Sequence, residues 1–183
     1  MQISRSLAPF AALGLSAVVA GCEPTPTVLS GADATAIQRA ALSTLFIERE
    51  HSQLLVLIDV ARDSAPVLHD TLANPDRAEL QLPDSAALAL PIAVRVVTLR
   101  DVETVFREHA DGWAAWYRRY PVSAGIVELT APTVSGDARE SARIVVGRAC
   151  GEHCRAVWRV TVQRDRDGRW RTVSVAAVGL PKG

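Results

Sequence analysis

The apolar positions along this chain change period twice, and each change marks a different kind of element. Between Ser30 and Glu48, Ile37, Ala41 and Leu45 recur at a spacing of four, which predicts a helix capped by Asp33 or Ser30 and running to about Glu48. The run Leu54-Leu55-Val56-Leu57-Ile58 then has no polar break and suits a buried strand. From Asp63 to Pro91 the apolar residues fit no single period, and turn residues cluster at Asp63-Ser64-Ala65-Pro66, Asn74-Pro75-Asp76 and Pro83-Asp84-Ser85. Ile92 to Val97 predicts a second strand. Thr98 with Asp101 has the form of a capping box opening a helix through Val102, Val105 and Phe106, and a short helix is predicted from Asp111.

From Gly125 onward the pattern becomes short β-branched runs, Gly125 to Thr130, Ser141 to Ala149, Arg155 to Arg164 and Arg169 to Val178. Asp165-Arg166-Asp167-Gly168 supplies turn chemistry between the last two. Alternation in the third run sets Ala156, Trp158, Val160 and Val162 on one face, with Val157, Arg159, Thr161 and Gln163 on the other. Helices followed by strands predict an α+β fold, with N-terminal helices covering one face of a mainly antiparallel sheet that ends in a four-stranded meander. No internal repeat stands out.

The first residues have a separate logic. Arg5 precedes an apolar stretch from Leu7 to Ala20, closed by Val19-Ala20-Gly21-Cys22. This segment resembles the signal and lipobox of bacterial lipoprotein precursors. The resemblance implies that residues 1–21 are removed and that the Cys22 sulfur carries a diacylglyceryl group at the mature N-terminus. Two or three acyl chains hold a protein on a bilayer persistently where one does so only marginally. The expected organisation is a signal peptide at 1–21, a lipidated tether at 22–32 and a single α+β domain at 33–183. The expected location is the cell envelope, with the membrane as partner through acylated Cys22. In a Gram-negative cell, Glu23 in place of an Asp after the cysteine favours the outer membrane, facing the periplasm.

Charge adds one asymmetry. Formal net charge is zero, yet residues 23–137 hold sixteen acidic and nine basic side chains while residues 138–183 hold ten basic and four acidic. Nineteen of the twenty basic residues are Arg, without a dense basic run or an RNA-binding signature, so nucleic acid is not an expected partner.

Two clusters could carry chemistry. Trp113, Trp116, Tyr117 and Tyr120 fall at i, i+3, i+4, i+7, one face of a helix. That face either packs on the sheet or, with Arg118 and Arg119 beside it, offers a platform for a sugar, peptide or anion. Trp158 and Trp170 are better explained by sheet packing. Cys150 and Cys154 stand four apart at a predicted turn, and in an oxidising compartment they suit a disulfide; the short loop implies roughly 2 kcal/mol of stabilisation. The alternatives are a redox-active pair, although such dithiols usually occupy Cys-x-x-Cys at a helix N-terminus, and a zinc site using His153 with both sulfurs. His51, His69 and His109 are isolated.

The segment Trp113-Ala-Ala-Trp-Tyr-Arg-Arg-Tyr-Pro121, with Gly125-Ile-Val-Glu-Leu129, Cys150-Gly-Glu-His-Cys154 and Asp167-Gly-Arg-Trp170, resembles a family of uncharacterised secreted or lipid-anchored bacterial proteins. The likeness spans roughly residues 92–178 and departs at Arg155, where the family usually has glycine after the second cysteine. It implies a fold and no activity. No Gly-x-Ser-x-Gly, His-Glu-x-x-His, Gly-x-x-x-x-Gly-Lys or Gly-x-Gly-x-x-Gly occurs, so the sequence nominates no catalytic residue, metal or cofactor. The reading that results is a non-catalytic binding or assembly module, engaging an unknown envelope protein or small ligand. The alternatives are a small envelope hydrolase with an unrecognised site, or a metal or redox protein using Cys150 and Cys154.

Overall fold

A computed structural model describes Leu29 and residues 31–59, 85–135 and 140–178. The expected signal peptide, Cys22, Ser30, His69 and residues 60–84 lie outside the described residues, as does most of the tether. The described part is an α+β fold, a mixed, mostly antiparallel sheet with helices at its N-terminal side.

Helix α1 (Ala32–Leu42) buries Ala34, Ile37, Gln38, Ala41 and Leu42, an i, i+3, i+4, i+7, i+8 stripe. It continues as a π-helical stretch over Ser43–Arg49, whose wider turn brings Leu45 and Phe46 together onto the core. The expected cap is corrected. Gly31 stands at the N-cap with φ 71°, and among the described residues no side chain caps the helix. The Asp33 carboxylate accepts bonds elsewhere, from the Trp170 indole at 3.1 Å and from Arg164 at 2.5 Å.

Strand β1 (Leu54–Asp59) pairs in parallel with β2 (Ala93–Thr98) on one side and with β3 (Ser123–Leu129) on the other. A four-residue helix, α2 (Ser85–Leu88), precedes β2. Between β2 and β3 the chain crosses over as α3 (Leu99–Glu108) and α4 (Gly112–Arg119). The Thr98 and Asp101 capping box forms as expected: the Thr98 hydroxyl accepts from the Asp101 backbone N–H, and the Asp101 carboxylate accepts from the Thr98 backbone N–H.

Here the expected one-sided covering is corrected. Parallel neighbours cannot be joined by a hairpin, so their crossovers lay helices on the sheet, and this sheet has helices on both faces. On one face Leu55, Leu57, Val127, Ile144, Val146, Val160 and Val162 meet α1 residues Ile37, Ala41 and Leu42. On the other, Val56, Ile58, Ile126 and Ala149 meet Val102, Val105, Ala115 and Trp116 of α3 and α4. The unbroken apolar run of β1 is the signature of that double burial.

The remaining strands are β4 (Thr133–Ser135), β5 (Ser141–Gly151), β6 (Cys154–Arg164) and β7 (Trp170–Ala177). The strand order is β2-β1-β3-β5-β6-β7, with β3 and β4 along the same edge of β5 and every pairing from β3 onward antiparallel. Thr130 to Pro132 form the bulge between β3 and β4. Pro132 has no N–H to donate, while the Thr130 backbone donates to the Val145 carbonyl at 3.0 Å and its hydroxyl accepts from the Val145 N–H at 3.0 Å.

A second irregularity lies in β3, where its pairing with β1 shifts register between Leu54 and Val56. Gly125 stands there at φ +98°, and a Cβ on it would sit 2.2 Å from the Ala149 carbonyl oxygen. Only glycine fits so close a backbone approach. The β6–β7 turn follows the expected chemistry: Gly168 has φ +77°, and the Asp165 carboxylate accepts from the backbone N–H groups of Asp167 and Arg169. No described helix is long and apolar enough to cross a membrane.

Candidate functional site

The two chemistry-bearing clusters named from sequence meet at one end of the sheet. Strands β5 and β6 form a long hairpin whose tip is Glu152 and His153, both exposed, and Cys150 is joined to Cys154 by a disulfide with a Cα–Cα distance of 5.0 Å. The bridge sits where the β5–β6 register slips between Ala149 and Gly151, so it pins an irregular pair that ladder bonding alone holds less well. The Cys150 carbonyl accepts a bond from the Tyr117 hydroxyl at 3.0 Å. Burial pushes the Tyr117 phenol above its ordinary value, opposed by the charge of Arg148, so it stays a neutral donor at physiological pH.

Around that bond the aromatic stripe forms a continuous cluster. Trp116, fully buried at 0 % exposure, is 4.5 Å from Tyr120 and 6.2 Å from Phe106 between ring centroids. Trp113 meets Phe106 edge-on at 5.1 Å and Tyr117 at 6.1 Å. The helical spacing thus aims one face at Val56, Ile126 and Ala149 of the sheet. Trp113, Tyr117 and Tyr120 keep part of their surface in solvent. The arginines beside them do not converge on one point. Arg118 bonds Asp111 at 2.7 Å, which holds that carboxyl below its ordinary value, while Arg119 lies 5.7 Å from the Tyr120 ring centroid.

With both sulfurs in the disulfide, neither is a thiolate ligand or nucleophile in this state. Among the described residues no group of three or more His, Cys, Asp or Glu side chains is close enough together to hold a metal ion. His51, His109 and His153 are exposed. Trp158 and Trp170 pack on the α1 side of the sheet, and Trp158 meets Phe46 edge-on at 6.0 Å.

Three features escape the sequence patterns. The first is the Asp33 clamp, whose carboxyl is held below its ordinary value chiefly by the Trp170 indole and also by Arg164. The second is Arg148, which pairs with Glu50 and lies 5.4 Å from the Trp158 ring, closing the π-helical stretch onto β5. The third is Glu128, 1 % exposed in the middle strand of the sheet; its one visible signal is a carboxylate inside the apolar run Gly125-Ile-Val-Glu-Leu129.

Comparison with protein-family models, with curated proteins and with solved structures finds no match.

Proposed function

We propose that this protein is a lipid-anchored envelope protein whose folded domain acts as a binding or assembly module without catalysis. The anchoring half rests on the Val19-Ala20-Gly21-Cys22 segment. The non-catalytic half is supported by one observation: the candidate reactive groups are engaged in holding the fold. The Tyr117 hydroxyl is bonded to the Cys150 carbonyl, Arg118 to Asp111, and the cysteines to each other. In this reading the half-exposed Trp113, Tyr117 and Tyr120 are the contact surface. The partner is an envelope protein or a small ligand that stacks on aromatic rings.

The test is intact mass spectrometry of the full chain expressed in a host that processes lipoproteins, before and after reduction and alkylation. The expected species begins at Cys22, carries a diacylglyceryl or triacyl adduct and releases two thiols only on reduction. A soluble, unacylated species overturns the anchor.

A second reading has the more direct structural support, a redox protein working through Cys150 and Cys154. The pair is oxidised, Cys154 is exposed at a hairpin tip and Cys150 is half-buried, so a thiolate can reach the bridge. Equilibration with glutathione buffers separates the two readings. A structural staple resists reduction, with a potential below about −300 mV, whereas an exchanging pair titrates near about −200 mV.

A further inference from the structure

Helix α4 has few means of its own to stay folded. Its eight residues are fewer than an isolated helix needs in water, and among the described residues no side chain caps its N-terminus. It runs into the turn Tyr120-Pro-Val-Ser123, closed by the Ser123 N–H donating to the Tyr120 carbonyl at 3.3 Å, in which the exposed Val122 stands at φ 56°. That region of the backbone is costly for a β-branched residue. The Arg118–Asp111 pair along the helix is exposed at both ends, where ion pairs contribute little. Packing therefore holds α4 in place. Phe106 of α3 lies against Trp113 and Trp116, the Trp116 face lies on Val56, Ile126 and Ala149, and the Tyr117 hydroxyl donates to the Cys150 carbonyl at 3.0 Å. The last of these contacts lands on an irregular point of β5. Among the described residues Cys150 has no partner in the register with β3 or with β6, since Ala149 pairs with Arg155 and Gly151 with Cys154. A residue left out of the ladder takes its position from other bonds, here the disulfide to Cys154 and the Tyr117 hydroxyl.

We infer that the Cys150–Cys154 bridge is a redox switch for α4. Oxidised, it holds the Cys150 carbonyl beneath the Tyr117 hydroxyl and so fixes the surface of Trp113, Tyr117 and Tyr120. Reduced, it releases the carbonyl, and α4 loses a polar bond that ties it to the sheet. This rests on the reading of those rings as a contact surface and of the pair as one that exchanges; it adds the control of one by the other. The reductant is a dithiol. Its first thiolate attacks the Cys154 sulfur, in the exposed residue of the pair; the S–S bond breaks, a mixed disulfide forms at Cys154, and Cys150 leaves as a thiolate that takes a proton. The second thiolate of the reductant then attacks the reductant's own sulfur in the mixed disulfide. That closes a disulfide in the reductant and frees Cys154 as a thiolate, which is protonated in turn. Two electrons and two protons pass from the dithiol to the protein, and oxidation is the reverse. The bridge closes only a short loop, so breaking it leaves the rest of the fold standing and the response stays at this end.

Hydrogen exchange of the full chain tests this, with the unsubstituted protein and Tyr117→Phe each measured oxidised and after reduction by a water-soluble phosphine. The phosphine forces reduction whatever the potential of the pair, and no ligand is needed. In the oxidised protein Tyr117→Phe should speed exchange of the α4 amides about fivefold, the equilibrium weight of one hydrogen bond. Reduction of the unsubstituted chain should do the same in α4 and also speed the β5–β6 tip. Reduction of Tyr117→Phe should speed the tip but add nothing in α4, because the bond it would break is already gone. Unchanged α4 exchange on reduction of the unsubstituted chain overturns the switch. So do additive effects of the two changes in α4, and a rise shared by β1, which is general loosening. The underlying readings fail separately. A pair that titrates in glutathione buffers with no α4 response keeps the redox reading and removes the switch. An α4 response in phosphine, with a bridge that stays oxidised in every glutathione buffer, removes the exchanging pair and the switch with it. Neither outcome depends on what the rings bind.

Discussion

The parallel half of the sheet, β2-β1-β3, and the antiparallel half, β5-β6-β7, share a hydrogen-bonded surface and solve opposite problems. The parallel half needs crossovers, receives helices on both faces and shows solid apolar runs such as Leu54 to Ile58. The antiparallel half is closed by tight turns and packs one face on α1, while its other face buries Ala149 and Val157 and exposes Arg143, Arg159 and Arg171. Stability is therefore concentrated where both faces are dry. The exposed positions of the other half are free to be chosen for charge.

Substitutions that attack the dry half should cost most. Trp116→Ala removes a fully buried indole between α4 and the sheet, and we expect a loss of about 4 kcal/mol, read as a lower urea midpoint. Gly125→Ala is next: its Cβ would meet backbone at Ala149, which no side-chain rotation relieves, at a cost of about 3 kcal/mol in the same measurement. An effect under 1 kcal/mol at either site would mean that the two-sided core is not where stability resides.

The staple at the junction ranks third. Cys150→Ser with Cys154→Ser should cost about 2 kcal/mol, because the closed loop is short. Hydrogen exchange should rise in the β5–β6 tip and stay unchanged in β1, which a globally coupled bridge would not do.

The pH dependence sharpens the comparison further. Asp33 is held low chiefly by the Trp170 indole, Asp101 by the Thr98 hydroxyl and Asp165 by the Arg169 backbone N–H. Their folded values lie below an unfolded value of about 3.9, so their stabilisation is complete above that pH and is lost as pH falls through the folded values. Urea midpoints should therefore decline below about pH 4, and Asp33→Asn should flatten that decline while also weakening the clamp. The smallest effect belongs to the wet face. Arg159→Gln should change stability by less than about 0.5 kcal/mol, and a larger loss would reveal that this face is covered in the folded protein.

Local patterns carried most of the elements and little of their arrangement. The Thr98 and Asp101 box, the turn at Asp165 to Gly168 and the faces of β6 were legible because each is decided by residues close together in the chain. Parallel pairing of β1 with β2 and β3 was not, since it depends on where α3 and α4 cross, and a run such as Leu54 to Ile58 reads alike in any buried strand. Asp33 looked like a cap because its spacing suits one; the indole of Trp170, distant in sequence, competes for the same oxygen. Within the candidate site the cysteine pairing and the aromatic face were readable from spacing, while the Tyr117 bond that joins them required the hairpin tip to be brought against α4.

The Asp33 clamp has a mechanical consequence. Tension applied through the chain that precedes Leu29 meets first the Leu29 N–H bond to the Pro132 carbonyl at 3.4 Å, and then the first turn of α1, where the Asp33 bonds to Trp170 and Arg164 stand ahead of the buried residues Ile37 and Ala41. Those bonds pull on the β6–β7 hairpin, so force is shared with two antiparallel strands before it reaches the helix core. Under a pull, the Leu29 contact and this joint would yield first, leaving the disulfide-closed tip at the far end of β5 and β6 undisturbed.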